Sequence, residues 1–284
     1  MDIKKVAVVG GGTMGNGIAH VFALNNFSVH LVEVTEELAN KSFDMITKNL
    51  DRQVKKEVIK EEEKQNAIKS INKTVGLDKV PGDVDLVIEA VFEDKATKLS
   101  IFNKLNSVVK SDTIFASNTS SISITELSST TRPDKFIGMH FMNPVPMMKL
   151  VEIIRGYSTS DETYQTIKSL AEKLGKVPVE VFDYPGFISN RVLMPMINEA
   201  IFALMEGVAS AQDIDTVMKL GMNHPMGPLT LADFIGLDVC LAIMEVLHNG
   251  YNDSKYRPCP LLKKMVAAKK LGRKTGEGFF KYDK

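Results

Sequence analysis

Short unbroken apolar runs alternate with longer amphipathic stretches along the first two thirds of the chain. Lys4–Val9, Ser28–Val32, Asp85–Ala90, Thr113–Ala116, Phe136–Phe141 and Leu150–Ile154 are such runs. Their apolar positions are continuous rather than alternating, which predicts strands covered on both faces. Between them, Met14–Leu24, Glu36–Val54 and Lys95–Val109 carry apolar residues at helical spacing. The most charged stretch, Lys55–Lys64, reads as a solvated helix–turn–helix face. Strands alternating with helices predict a doubly wound, mostly parallel sheet.

The pattern changes after Phe182. Asn190–Glu206, Ala211–Leu220, Leu229–Leu247 and Leu261–Lys270 all have helical spacing, and no strand-like run occurs among them. Pro and Gly punctuate the chain at Tyr184–Pro185–Gly186. The expectation is an α/β domain over residues 1–184 and a smaller all-α domain over 185–284.

Length and composition narrow the field without naming a chemistry. The 284 residues suit one or two domains, and 44% apolar with 25% charged residues is ordinary for a globular chain. Thirty-five Lys and Arg balance thirty-five Asp and Glu, which argues against a dedicated nucleic-acid binder. The balance is uneven, because Lys255–Lys284 carries ten basic residues against two acids. Cys240 and Cys259 form no CxxC and have no His pair at zinc spacing, so neither a disulfide framework nor a metal site is expected. The apolar run after Lys5 is too short for a signal peptide, and no stretch is long enough to span a bilayer. A soluble protein of a reducing compartment, the cytoplasm, is expected, with no membrane partner.

The strongest local motif is Gly10-x-Gly12-x-x-Gly15, which directly follows the first strand and opens the first helix. The first glycine permits the tight turn. The second lets backbone N–H groups approach a pyrophosphate, and the third lets helix and strand pack closely. Glu33 ends the second strand, where a carboxylate binds ribose hydroxyls and repels a 2′-phosphate. This is a Rossmann-type arrangement, and it favours NAD over NADP.

The chain also resembles the 3-hydroxyacyl-CoA dehydrogenase family. The resemblance is carried in one register by Gly10–Ala19, Ser117–Ser121, Gly138–Pro144, Pro185–Arg191, Asn223–Pro228 and Leu271–Phe279. It implies NAD-dependent interconversion of a short (S)-3-hydroxyacyl-CoA, such as 3-hydroxybutyryl-CoA, and the 3-ketoacyl ester acetoacetyl-CoA. Such a step belongs to fatty-acid and butyrate metabolism. Glu33 stands where Asp is commoner in the family, and Met142 where an aromatic residue is usual.

The reaction needs a base for the hydroxyl proton. His140, at the carboxyl end of a predicted strand, can titrate near neutral pH. By itself a His between Met139 and Phe141 reads as a packed core residue, and the surrounding motif makes it the candidate. Glu152 lies inside the apolar run of the next strand, where a carboxylate is costly unless paired. A His–Glu pair resolves that cost and orients the imidazole.

Other roles rest on the resemblance. It implies that Ser120 meets the substrate's 3-oxygen region near the nicotinamide and that Asn190 polarises the substrate carbonyl. It places Gly10, Gly12, Thr13, Met14, Gly15, Glu33, Glu93, Lys98, Asn118, Ser120, Asn143 and Lys274 at the cofactor. It places Arg52 and Lys56, four residues apart on one helical face, at the CoA phosphates. A homodimer through the helical domain is also implied, with Leu193, Met196, Ile197, Ile201, Leu204, Leu237, Leu241, Met244 and Leu247 as apolar positions that one layer would leave uncovered. Two other readings remain open: a dehydrogenase of a free hydroxy acid or sugar acid, and a non-catalytic dinucleotide-binding protein.

Overall fold

A computed structural model describes residues 1–283. It divides into two compact units, Met1–Asp183 and Tyr184–Lys284.

The first unit is built on one eight-stranded sheet. Its strands are β1 (Lys5–Val9), β2 (Ser28–Glu33), β3 (Ile71–Val75), β4 (Leu86–Glu89), β5 (Ile114–Ser117), β6 (Phe136–Phe141), β7 (Leu150–Arg155) and β8 (Val177–Phe182). They lie in the order β3-β2-β1-β4-β5-β6-β7-β8, and every pair is parallel except β6–β7. Residues 142–149 join that pair. So short a link cannot make a parallel crossover, which needs a dozen or more residues. Helices α1 (Thr13–Leu24), α2 (Glu36–Lys55), α3 (Glu61–Ser70), α4 (Lys95–Asn106), α5 (Ile124–Ser128) and α6 (Asp161–Lys173) make the connections. Thr35, Asp94 and Ser160 cap the first turns of α2, α4 and α6 through their side-chain oxygens. The core lies on these strands: Val6, Val8, Leu31, Leu86, Ile88, Ala116 and Ile153 are buried on the sheet together with Ile18, Phe22, Ile46 and Ile167.

The second unit is helical among the described residues. It contains α7 (Ser189–Met205), α8 (Ala211–Leu220), α9 (Pro228–Ile235), α10 (Leu237–Tyr251) and α11 (Pro260–Ala267). The single helix expected over Leu229–Leu247 is two helices. Gly236, at φ +104°, breaks the chain between α9 and α10, a conformation that favours glycine. The buried Asp215 accepts hydrogen bonds from the backbone N–H groups of Leu229 and Thr230 and so fixes the start of α9. Asp233, also buried, accepts from Phe279, Phe280 and Tyr282 and ties the basic tail to α9.

Some elements go beyond those predicted, and two further readings differ. Strands β3 and β8 and helix α6 carry no continuous apolar run or were too polar to stand out. Both β3 and β8 border the sheet and are half exposed, so their sequences lack the two-faced burial signature. Lys56 closes α2 as its C-cap instead of lying within it. Finally, Ile197, Ile201, Leu237, Met244 and Leu247 form the core of the second unit itself, with Leu193, Leu204 and Leu241 packed against it. Met196 is half-buried and lies outside that cluster.

Candidate active site

The glycine loop sits where the strand order reverses, between β1 and β4, the place where open α/β sheets bind ligands. Each glycine has a distinct reason to be there. At Gly15 a Cβ would stand 1.7 Å from the Gly10 carbonyl oxygen, so only hydrogen fits between α1 and the loop. At Gly10 the φ is +93° and a Cβ would press on the Ala90 carbonyl oxygen of the neighbouring strand end. At Gly12 nothing lies within 4 Å of a built Cβ, so the space is open. Gly12 is also the N-cap of α1 and has no side chain to satisfy the helix's first N–H groups. Open space, uncapped N–H groups and the positive end of the helix dipole together fit a pyrophosphate.

Glu33 reaches back to this loop. Its carboxylate accepts a hydrogen bond from the Gly11 N–H at 2.5 Å and forms one wall of a cleft of about 370 Å³. Thr13, Ser42, Met45 and Asn143 contribute to the same cleft. The Asn143–Pro146 wall is held from beneath by Lys176, a buried residue the sequence reading did not single out. Its Nζ donates to the carbonyl oxygens of Val145 and Met148. Arg52 and Lys56 are exposed and do not line the cleft. Arg52 donates to Asn49, one helical turn before it, which does.

Replacing Glu33 by Gln removes the charge that repels a 2′-phosphate and weakens the bond to Gly11. The expected result is about a tenfold loss of NADH affinity, the scale of one charge-assisted hydrogen bond, with a smaller loss for NADPH. Fluorescence titration with both dinucleotides checks this, and equal losses for both would contradict it.

The second half of the site gathers at the carboxyl ends of β4, β5 and β6. Antiparallel pairing sets His140 directly opposite Glu152. His140 Nδ1 lies 2.7 Å from Glu152 Oε2, and both side chains are buried. A carboxylate only accepts, so Nδ1 carries the proton. After β5, Asn118 Oδ1 accepts the Phe141 N–H and ties the Ser117–Ser121 loop to β6. Ser120 is half-buried, and its backbone N–H donates to Glu93 Oε1 at 2.9 Å. Thr119 and Ser121 donate to the same oxygen.

Lys98 is not a surface cation. It is 1% exposed, with Nζ 2.6 Å from Glu89 and 3.3 Å from Glu93. Glu89 was missed, although it is a lone carboxylate inside an apolar strand run, the same signal that pointed to Glu152. Burial pushes the Glu89 carboxyl up, against the pull of Lys98, Ser117 and the Val91 N–H.

Asn190 and Lys274 belong to the second unit. Asn190 is buried in the first turn of α7, whose N-cap is Ile188, so Asn190 is not itself the cap. Lys274 pairs with Asp238 in the first turn of α10. The cysteines are buried and free, and burial pushes the Cys240 thiol up to about 12, which removes it as a nucleophile. No group of His, Cys, Asp and Glu suited to a metal occurs among the described residues.

A dinucleotide cleft with a buried His–carboxylate pair on the neighbouring strands defines a dinucleotide-dependent oxidoreductase. Residues 5–184 match the 3-hydroxyacyl-CoA dehydrogenase NAD binding domain, and residues 186–282 match the C-terminal domain of the same family. The chain belongs to the 3-hydroxyacyl-CoA dehydrogenase family, and NAD is its cofactor. A probable 3-hydroxybutyryl-CoA dehydrogenase of Bacillus subtilis is 54% identical over 284 residues, covering 100% of this chain and 99% of that one. A 3-hydroxybutyryl-CoA dehydrogenase of Bradyrhizobium diazoefficiens is 55% identical over 281 residues, 99% of this chain and 96% of its own. Among solved structures, (S)-3-hydroxybutyryl-CoA dehydrogenase PaaH1 from Ralstonia eutropha superposes with a TM-score of 0.97 at 48% identity, with all of both chains covered.

Proposed function

We propose that the protein interconverts (S)-3-hydroxybutyryl-CoA and acetoacetyl-CoA with NAD, and that His140 is the acid–base catalyst. The observation that carries the reading is the buried 2.7 Å His140–Glu152 hydrogen bond. The dinucleotide, held by the Gly10–Gly15 loop and Glu33, would supply the hydride chemistry, as acceptor when oxidised and as donor when reduced. The chain's own residues manage the proton. With Nδ1 committed to Glu152, Nε2 is the ring nitrogen that takes the hydroxyl proton in oxidation and returns it in reduction. The Glu152 carboxylate fixes that tautomer and stabilises the imidazolium while the proton is held. Ser120 and Asn190 direct hydrogen bonds to the 3-oxygen as it gains alkoxide character. Glu93, Lys98, Asn118, Asn143 and Lys274 serve the cofactor.

Arg52 and Lys56 form the rim for the CoA phosphates. Both are exposed cations at the end of α2, beyond the Asn49 side of the cleft. The test is NADH oxidation with acetoacetyl-CoA beside free acetoacetate and beside NADPH. Rapid turnover of acetoacetyl-CoA with NADH alone is expected. The Arg52→Ala/Lys56→Ala double variant should raise KM for the ester about tenfold, the effect of two screened phosphate contacts, and leave kcat unchanged. Turnover of free acetoacetate at a similar rate would sink the CoA assignment.

The protein works in the cytoplasm, as a homodimer through the helical unit. Val217, Leu220, Met222 and Phe234 are exposed apolar residues of that unit and supply a face for it. Light scattering should return twice the 31.4 kDa chain mass, and a monomer would remove this part of the reading.

A further inference from the structure

Glu89, Lys98 and Glu93 form a chain of charges at the carboxyl end of β4. Glu89 is fully buried. Its Oε1 receives the Lys98 ammonium at 2.6 Å and the Val91 N–H at 2.7 Å, and its Oε2 receives the Ser117 hydroxyl at 2.7 Å. The Ser117 oxygen itself accepts the Thr119 N–H, so its proton points to Glu89. Every neighbour donates, which is the arrangement of an ionised carboxylate. Glu93 binds the other side of Lys98 and receives the Ser120 and Ser121 N–H groups. Two carboxylates against one ammonium leave one net negative charge.

The position of that charge gives it a consequence. A Cβ on Gly10 would touch Ala90 and Val91, so the end of β4 lies against the glycine loop. Beyond this switch point, β1–β2–β3 form one mononucleotide half and β4–β5–β6 the other. Glu33 marks the first as the adenosine half, which leaves the nicotinamide to the second. The dinucleotide's two redox forms have the same phosphates and differ in charge only at the nicotinamide ring, which is cationic when oxidised and neutral when reduced. A fixed charge near that ring therefore acts on one form and not the other.

We propose that Glu89 is a positioning residue which, with Lys98 and Glu93, holds one net negative charge at the nicotinamide half and so tightens binding of the oxidised cofactor relative to the reduced one. The proposal rests on the reading of β4–β6 as the nicotinamide half. It goes beyond the proton chemistry of His140, because it assigns to a residue on another strand a part in the balance between NAD⁺ and NADH.

The test measures dissociation constants for NADH by fluorescence and for NAD⁺ by competition, in three proteins. Wild type carries a net charge of −1 in this chain of groups, Glu89→Gln carries 0, and Glu89→Gln/Lys98→Met returns to −1. The ratio of NAD⁺ to NADH affinity should fall about fivefold in Glu89→Gln, the scale of one unit charge acting across a partly screened site. It should recover in the double variant. If Glu89→Gln does not fold, Glu93→Gln makes the same charge change at a half-exposed carboxylate and should lower the ratio likewise. Equal losses for both cofactors, or no recovery in the double variant, would reduce Glu89 to a structural role and overturn the proposal. Wild-type protein that binds neither dinucleotide would instead overturn the reading of the cleft.

Discussion

Replacing His140 by Ala should lower kcat for acetoacetyl-CoA reduction by about 10²–10⁴-fold, the range for loss of a positioned general acid. Affinity for NADH should stay within about twofold, because the Gly10–Gly15 loop follows β1 and Glu33 ends β2, three and four strands away from β6 in the sheet. The change also leaves Glu152, 2% exposed on β7, without its imidazole partner. Losing that one hydrogen bond to a charged group in the interior costs about 2 kcal/mol, so the variant should melt earlier as well as react slowly. Glu152→Gln separates the two effects. It keeps volume and a hydrogen-bonding group but cannot stabilise an imidazolium, so kcat falls by about 10²-fold or more with less loss of stability. If the two residues act as one unit, the His140→Ala/Glu152→Gln double variant is no slower than His140→Ala alone. Multiplying effects would show that they act independently, and wild-type turnover in His140→Ala would remove the catalytic assignment.

The glycine loop offers the second large effect, in two forms that differ by position. In Gly15→Ala the new methyl would overlap the Gly10 carbonyl oxygen at 1.7 Å, so α1 must move away from β1. Overpacking against backbone costs about 3 kcal/mol, and the displaced helix end loses its aim at the phosphates. Both the melting temperature and NADH affinity should drop. In Gly12→Ala the methyl meets nothing of the protein within 4 Å, and the φ of −62° suits any residue. The fold should be as stable as wild type, yet the methyl fills the space open to the pyrophosphate. NADH affinity should fall about 100-fold or more, the cost of losing several charge-assisted backbone bonds together. Thermal melts beside dinucleotide titrations check the pair. Equal melting losses in both variants would mean that the loop's openness at Gly12 is not what admits the ligand.

The two variants also separate what each glycine's surroundings contribute. Gly10-x-Gly12-x-x-Gly15 is legible as a motif because its spacing follows from the turn itself. Which glycine is packed and which faces open space is decided by Gly10, Ala90 and Val91 meeting across two strands. Glu89 shows the opposite case. Its signal, a carboxylate in an apolar run, was present in the sequence and was the same as that of Glu152. Only one had a His at hand in a neighbouring motif, so the other passed as part of a buried strand. Its partner Lys98 comes from a helix, and sequence spacing alone does not bring that ammonium 2.6 Å from the carboxylate.

The order of strands and helices, the domain break near Tyr184 and the glycine loop follow from local physics: apolar periodicity, chain stiffness at Pro and Gly, and the small size of hydrogen. The sequence by itself therefore determined that this is a two-part α/β protein with a dinucleotide loop, and it singled out His140 and Glu152 as candidates. Tertiary structure decided the rest. The short 142–149 link turns β7 antiparallel and sets His140 against Glu152. Gly236 cuts one expected helix into two, and the apolar faces of α7 and α10 close on each other as a core. Lys98 enters the interior because two carboxylates and a strand end are already there to receive its charge. These outcomes depend on contacts between residues far apart in the chain, and a one-dimensional pattern does not carry the energies of such contacts.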